Sequence, residues 1–241
     1  MATTTIDADL QGVVFNTVNA NLIQWSSDVR DATNGSSATT YTTATNVYQP
    51  IEAAFISGRG NYQARLNRTF LFFDVSSVTS TDTITAATLK VRGGGFGGSA
   101  DTVVIQATAW GEDGTTTSLT TSDYSNIDYD ESYSTSVRTV WYSSAYNDFT
   151  MSTLACNNMN TDGYLNLAVI EYDHDYLDSS PSLGNTYRNG IKFLDSSDKI
   201  KIVLTHSPSG YGHDIMGVDS GDIVSVNGVA SADIVSFNGV S

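Results

Sequence analysis

The stretch Arg68-Thr69-Phe70-Leu71-Phe72-Phe73-Asp74-Val75 is the most strongly apolar run in the chain. Its β-favouring residues predict a strand. Successive side chains of a strand point to opposite faces, so Phe70 and Phe72 stand on one side while Leu71 and Phe73 stand on the other. A sheet with one wet face alternates apolar with polar residues, and this run does not. Something must therefore cover its outer face, and the N-terminal segment or a neighbouring subunit is the natural cover.

Other strands follow at short intervals. Ile51 to Ile56, Ile84 to Val91, Val103 to Trp110, Ser136 to Tyr142, Tyr164 to Ile170, Gly190 to Phe193 and Lys199 to Thr205 all read as strands, and Val13 to Phe15 and Leu22 to Trp25 as two shorter ones. In the last long strand Ile200, Ile202 and Leu204 share one face. Only 3 prolines occur against 20 glycines, and Ser and Thr fill the segments between apolar runs, as expected of many strands joined by polar turns. Asp31 to Thr43 reads as an exposed loop, Gly93 to Gly98 as a flexible turn, and Thr150 to Met159 as a single helical turn. The class is all-β, a jelly-roll β-sandwich over 48–208 with Phe70, Phe72, Leu89, Ile105, Leu167 and Ile202 in one core. An N-terminal arm over 1–47 packs on it or on a neighbour, and a short β-repeat extension occupies 209–241.

That extension carries a repeat. Asp222-Ile-Val-Ser-Val-Asn-Gly-Val229 returns eleven residues later as Asp233-Ile-Val-Ser-Phe-Asn-Gly-Val240, after a degraded copy at Asp214 to Val218. Each full copy is an apolar run closed by Asn-Gly, the dipeptide suited to positive φ at both centres of a type I′ turn, so each reads as strand then tight turn. Strands this short cannot stand alone. They pack on the body of the chain or on copies of it, which makes Ile223, Val226, Val229, Ile234, Phe237 and Val240 candidate assembly residues.

The succession Arg68 to Val78, Ile84-Thr-Ala-Ala-Thr-Leu-Lys-Val91, Val103 to Trp110 and Lys201-Ile-Val-Leu-Thr205 resembles the jelly-roll domains of the DNRLRE type, over about Tyr48 to His206. These domains are related to carbohydrate-binding modules and occur in extracellular proteins and in tailed-phage virion proteins. The Asn-Gly-Val repeat separately resembles the short repeats at the ends of phage structural and tail proteins. Together the two resemblances imply a virion location.

With 26 acidic residues against 11 basic ones and a formal net charge of −15, the surface would repel nucleic acid, whose binding rests on Lys and Arg at phosphates. The same charge favours solubility at high local concentration and can attract divalent cations. No apolar window of roughly 18 residues predicts a membrane span. Met1 to Leu10 lacks a basic start and an apolar core, so no secretory signal is expected in it. Cys156 is alone and forms no intrachain disulfide; it reads as a small buried residue.

The chain shows no His-x-x-x-His pair, Gly-x-Ser-x-Gly elbow, Walker loop or dinucleotide fingerprint. Calcium takes six to eight oxygen ligands, and two acidic loops could supply them: Asp128, Asp130 and Glu131 in one, Asp173, Asp175 and Asp178 around His174 in the other. Aromatic rings beside acids suit sugars, whose apolar faces stack on rings while carboxylates accept hydroxyl hydrogen bonds. Tyr124, Tyr129, Tyr133, Trp141, Tyr172 and Tyr176 form that candidate glycan set, with core or interface packing as the plain alternative. The expectation is a non-enzymatic structural protein on the exterior of a tailed phage, a tail or fibre component or a capsid decoration. Its partners would be other virion proteins, copies of itself and host-surface polysaccharide. The alternative is a carbohydrate-binding or adhesin module of a secreted cellular protein. A depolymerase would need a facing carboxylate pair that the sequence does not single out.

Overall fold

The structure, a computed structural model, describes residues 1–42, 47–57, 60–96, 98–110, 115–193, 198–208, 225–226 and 229–230. Its strands are β1 (Ala2–Asp7), β2 (Leu10–Ala20), β3 (Ser37–Thr40), β4 (Val47–Ser57), β5 (Tyr62–Asp74), β6 (Asp82–Arg92), β7 (Thr102–Ala107), β8 (Ile127–Ser132), β9 (Tyr146–Thr150), β10 (Tyr164–Glu171), β11 (Asn185–Phe193) and β12 (Lys201–Pro208), with a pair β13 (Ser225–Val226) and β14 (Val229–Ala230). Two helices, α1 (Ser76–Thr79) and α2 (Thr153–Asp162), interrupt them. The smaller sheet runs β1-β12-β6-β9 and the larger β11-β4-β5-β10-β7-β8, with β2 on β5 and β3 on β2. Every pairing between these strands is antiparallel, and the fold is an all-β sandwich.

The doubly apolar run lies in β5, the hub of the larger sheet. On one edge β2 pairs with Tyr62 to Phe72. The other edge is shared: β4 takes Tyr62 to Asn67 and β10 takes Thr69 to Asp74. The handover falls at Arg68. The N-terminal segment is part of the sandwich, since β1 forms an edge of the smaller sheet against β12 and β2 lies along β5.

Both faces of β5 are covered, by two separate cores. Leu71 and Phe73 join Leu89, Leu167, Ile202 and Leu204 between the sheets. Phe70 and Phe72 join Ile105 on the opposite face, under Trp25, Val29, Trp110, Leu119 and Tyr124. The single core expected for Phe70, Phe72, Leu89, Ile105, Leu167 and Ile202 is therefore corrected: alternation along β5 divides it in two. The outer cover comes from the π turn Trp25–Arg30 and from the connection between β7 and β8. At about 1.5–3 kcal/mol for each fully buried large apolar side chain, this second core is as necessary to β5 as the first.

Several local expectations also change. Leu22 to Trp25 is no strand but leads into the π turn, Ser136 to Tyr142 carries only an isolated bridge at Arg138, and the loop expected over Asp31 to Thr43 contains β3. The single turn expected near Thr150 to Met159 is a longer helix. Ser152 Oγ accepts from the Ala155 amide at 3.3 Å, and Gly163 ends the helix at φ 76°. Gly94 is a close-packed seam: its amide donates to Gly190 O at 2.9 Å, and a Cβ on Gly190 would stand 1.8 Å from Gly94 O. In the tail, Val226 pairs with Val229 in an antiparallel ladder, while Asn227-Gly228, where a tight turn is expected, lies outside the described residues. Ile223, Ile234, Phe237 and Val240 lie outside the described residues. Among the described residues, no helix is long and apolar enough to cross a membrane.

Candidate functional site

Arg68 is 1% exposed and Asp175 is wholly buried. Arg68 Nε donates to Asp175 Oδ2 at 2.9 Å and Nη2 to Oδ1 at 2.6 Å, a two-pronged ion pair. Nη1 also donates to Tyr124 O at 2.6 Å, and Nη2 to Arg30 O at 2.8 Å and to Tyr129 Oη; the guanidinium carbon stands 4.0 Å from the Tyr124 ring centre. Tyr129 Oη donates to Asp175 Oδ1 at 2.7 Å, and Arg30 lies over the Tyr129 ring at 3.7 Å. Burial works against the charge on Arg68; the opposing Asp175 carboxylate outweighs it and holds Arg68 above the usual guanidinium range. Burial first, and then the Asp175 charge, pushes the Tyr129 phenol well up.

Asp175 belongs to a π turn, Tyr172–Tyr176, that follows β10. Glu171 caps it, its carboxylate accepting from the His174 amide at 2.6 Å and more weakly from the Asp175 amide at 3.3 Å. Glu171 is wholly buried, and its Oε1 has no hydrogen-bond partner among the described residues. Burial pushes its carboxyl up to about 7, against the pull of the backbone amides of His174, Asp175 and Asp173. Trp25 Nε1 donates to His174 O at 2.9 Å, and Tyr124 Oη donates to Val29 O at 2.7 Å. The network thus clamps the N-terminal π turn, the β7–β8 connection and the Tyr172–Tyr176 turn onto β5.

This changes the reading of both predicted loops. Tyr124 is wholly buried and Tyr133 is 2% exposed, so neither ring forms an open stacking surface. Tyr172 and Tyr176 stack on each other with centroids 5.5 Å apart, half-buried beside Tyr129. Trp141 lies elsewhere, donating to Gly190 O at 3.1 Å and packing on Phe149. The six rings do not form one platform, because most of them pack against the sandwich or the arginine network. The acidic residues disperse too. Asp175 is consumed by Arg68, Asp178 accepts from Ser26 Oγ at 2.8 Å, and Asp128 accepts from the Asp130 amide at 2.9 Å. Asp128 and Asp130 are exposed, Glu131 and Asp173 half-buried. Among the described residues, no three His, Cys, Asp or Glu side chains gather in a way that could hold a metal ion, so Asp128, Asp130, Glu131, Asp173, Asp175 and Asp178 do not come together as one ligand cluster.

A concave polar site does exist nearby. The β7–β8 register jumps between Ile105, opposite Ser132, and Gln106, opposite Asp128, so Tyr129, Asp130 and Glu131 bulge from the ladder. The bulge sends Tyr129 to Asp175, and two adjoining cavities flank the β7 end at Gln106, Ala107 and Thr108. One, of about 300 Å³, is lined by Tyr133, Asn158, Asp162, Tyr164 and Asn166. The other, of about 270 Å³, is lined by Ser125, Asn126, Ile127 and Asp128. Asn158 Nδ2 donates to Tyr133 Oη at 2.7 Å, which fixes the wall between the helix and β8. Burial pushes the Tyr133 phenol up to about 12, so it stays a neutral donor and acceptor. Tyr133 and Asp128 were picked out from sequence, the first for its ring. Gln106, Asn158, Asp162 and Asn166 were missed, since four scattered polar residues carry no local signal.

Compared with protein-family models and with curated proteins, the chain matches none.

Proposed function

We propose that the chain is a non-enzymatic structural protein of the exterior of a tailed-phage particle that recognises a host-surface glycan in the paired cavities at Gln106 to Thr108. The observation that carries the recognition reading is the lining of this groove: amides, hydroxyls and two carboxyls, with Tyr133 and Tyr164 in the wall. Carboxamides and carboxylates pair with the adjacent hydroxyls of a sugar, and cavities of this size suit one or two sugar units. A binding role fits better than hydrolysis. Glu171, whose carboxyl is pushed up to about 7, lines none of the described cavities and is sealed under its own turn. The virion location rests on the resemblances and on the repeat, which serves assembly in this reading.

A glycan array probed with the intact protein, together with a reducing-end assay, tests the recognition role. Binding without release of oligosaccharide is expected, with at least a tenfold loss in Asp162→Ala and Asp128→Ala, both at exposed positions. An empty array removes the recognition role, and released sugar replaces it by catalysis. A mass-spectrometric census of purified particles separates a virion protein from a secreted adhesin module.

A further inference from the structure

A third cavity, of about 420 Å³, opens on the larger sheet away from Gln106. Its walls come from β2, β3, β4, β5 and β11, with Phe96 from the glycine-rich connection after β6, and no strand of the smaller sheet contributes. Three of its residues carry charge: Glu52, Arg65 and Arg188.

Glu52 is only 2% exposed. Its Oε1 lies 3.2 Å from Arg65 Nε, so one carboxylate offsets one guanidinium. Burial raises the Glu52 carboxyl, while Arg65 and Arg188 draw it back toward the charged form. Arg188 is the surplus cation. Among the described residues it makes no ion pair; its guanidinium lies 5.0 Å from the Phe96 ring centre. Asn67, 5% exposed, also lines the cavity, and its side chain makes no hydrogen bond among the described residues. On a chain of net charge −15, this is a cavity with two cations and one anion in its lining.

The arrangement is held in place by the fold. The Gly94 seam against Gly190 brings the loop bearing Phe96 onto β11, where Arg188 lies two residues away. Arg188 pairs across to Glu52, and Glu52 to Asn67, so the three stand in one row across the sheet. Phe15 and Phe96 supply apolar faces at the sides.

We propose that this cavity binds an anionic saccharide unit, one bearing a carboxylate or a sulfate ester. Arg188 takes the anionic group through its planar fork of donors, which matches an oxyanion in geometry as well as charge. Asn67 meets ring hydroxyls, with Glu52 holding Arg65 in place beside them. The Phe15 and Phe96 rings lie against the apolar face of the sugar. The cavity falls within the range of small-molecule sites, about 300–1,000 Å³. This site shares no lining residue with the groove at Gln106 and does not depend on glycan binding there.

The test titrates the intact, isotope-labelled protein with four separate probes, glucuronate, glucose 6-sulfate, methyl glucoside and inorganic sulfate, and follows amide shifts of β4, β5 and β11. Glucuronate or glucose 6-sulfate should bind, with the carboxylate and sulfate arms showing which anion is preferred. Methyl glucoside and sulfate should bind at least tenfold more weakly. Arg188→Gln, at an exposed position, should weaken the anionic sugar at least tenfold, and Asn67→Ala should weaken it less. Asp162→Ala and Asp128→Ala should leave it unchanged, which separates this site from the first. Equal binding of methyl glucoside, equal binding of free sulfate, binding indifferent to Arg188→Gln, or no shift with any probe would each overturn the proposal.

Discussion

Glu171 shows what burial does to a single carboxyl. It has no exposed surface, and the backbone amides that donate to it do not offset the lost hydration, so its pKa stands near 7, above the ordinary 4.5. A raised folded-state pKa means that folding favours the protonated form. The stabilisation is fully present below pH 4.5 and is lost as pH rises through about 7. Urea unfolding of wild type and Glu171→Gln across pH 4 to 8 should therefore diverge in that window, the wild type losing stability relative to the variant as pH rises. The difference should reach roughly 3 kcal/mol at most, at about 1.4 kcal/mol per pH unit. Parallel curves would mean that Glu171 is hydrated in solution.

Between elements, the Arg68–Asp175 pair decides the geometry. Arg68 sits where β4 hands over to β10 along β5, and its side chain reaches the cover rather than the sandwich interior. The bulge in β8 and the π turn after β10 both serve this contact, delivering Tyr129 and Asp175 to it. Removing one member of a buried pair strands the other without a counter-charge. Asp175→Ala should cost about 3–5 kcal/mol of unfolding free energy. Hydrogen exchange should rise first in Trp25–Arg30 and in Tyr172–Tyr176, ahead of β5, because these turns are held by the network rather than by ladders. Uniform loss of protection across both sheets would show that the clamp and the sandwich unfold as one unit.

For the molecule as a whole, the described buried apolar residues of the two cores all come from residues 13–204, in the two sheets and the outer cover. Deleting residues 209–241 should leave a folded sandwich with an unchanged thermal midpoint. In light scattering the full chain should self-associate, and the truncated chain should run as a monomer. A truncated chain that still assembles would place the interface on the sandwich, and one that fails to fold would make the repeats part of its core.

Much of this architecture was legible in residues 51–56, 84–91, 164–170 and 200–205, because strand alternation and apolar runs are local properties that any sheet must respect. The two-faced run at Phe70 to Phe73 required a second layer of cover for the same reason. Which residues share a cavity is a different kind of fact. Arg68 meets Asp175 across 107 residues, and Glu52 meets Arg188 through strand register, so nothing local marks either pair. Of the tyrosines that looked like a sugar platform from composition, Tyr124 and Tyr129 are structural because a buried arginine and its carboxylate recruit them, while Tyr133 is tied to Asn158. Side-chain type and period determine which segments become strands and what each face must avoid; register, the β8 bulge and long-range charge pairing decide which polar groups end up buried together and which are left facing a ligand.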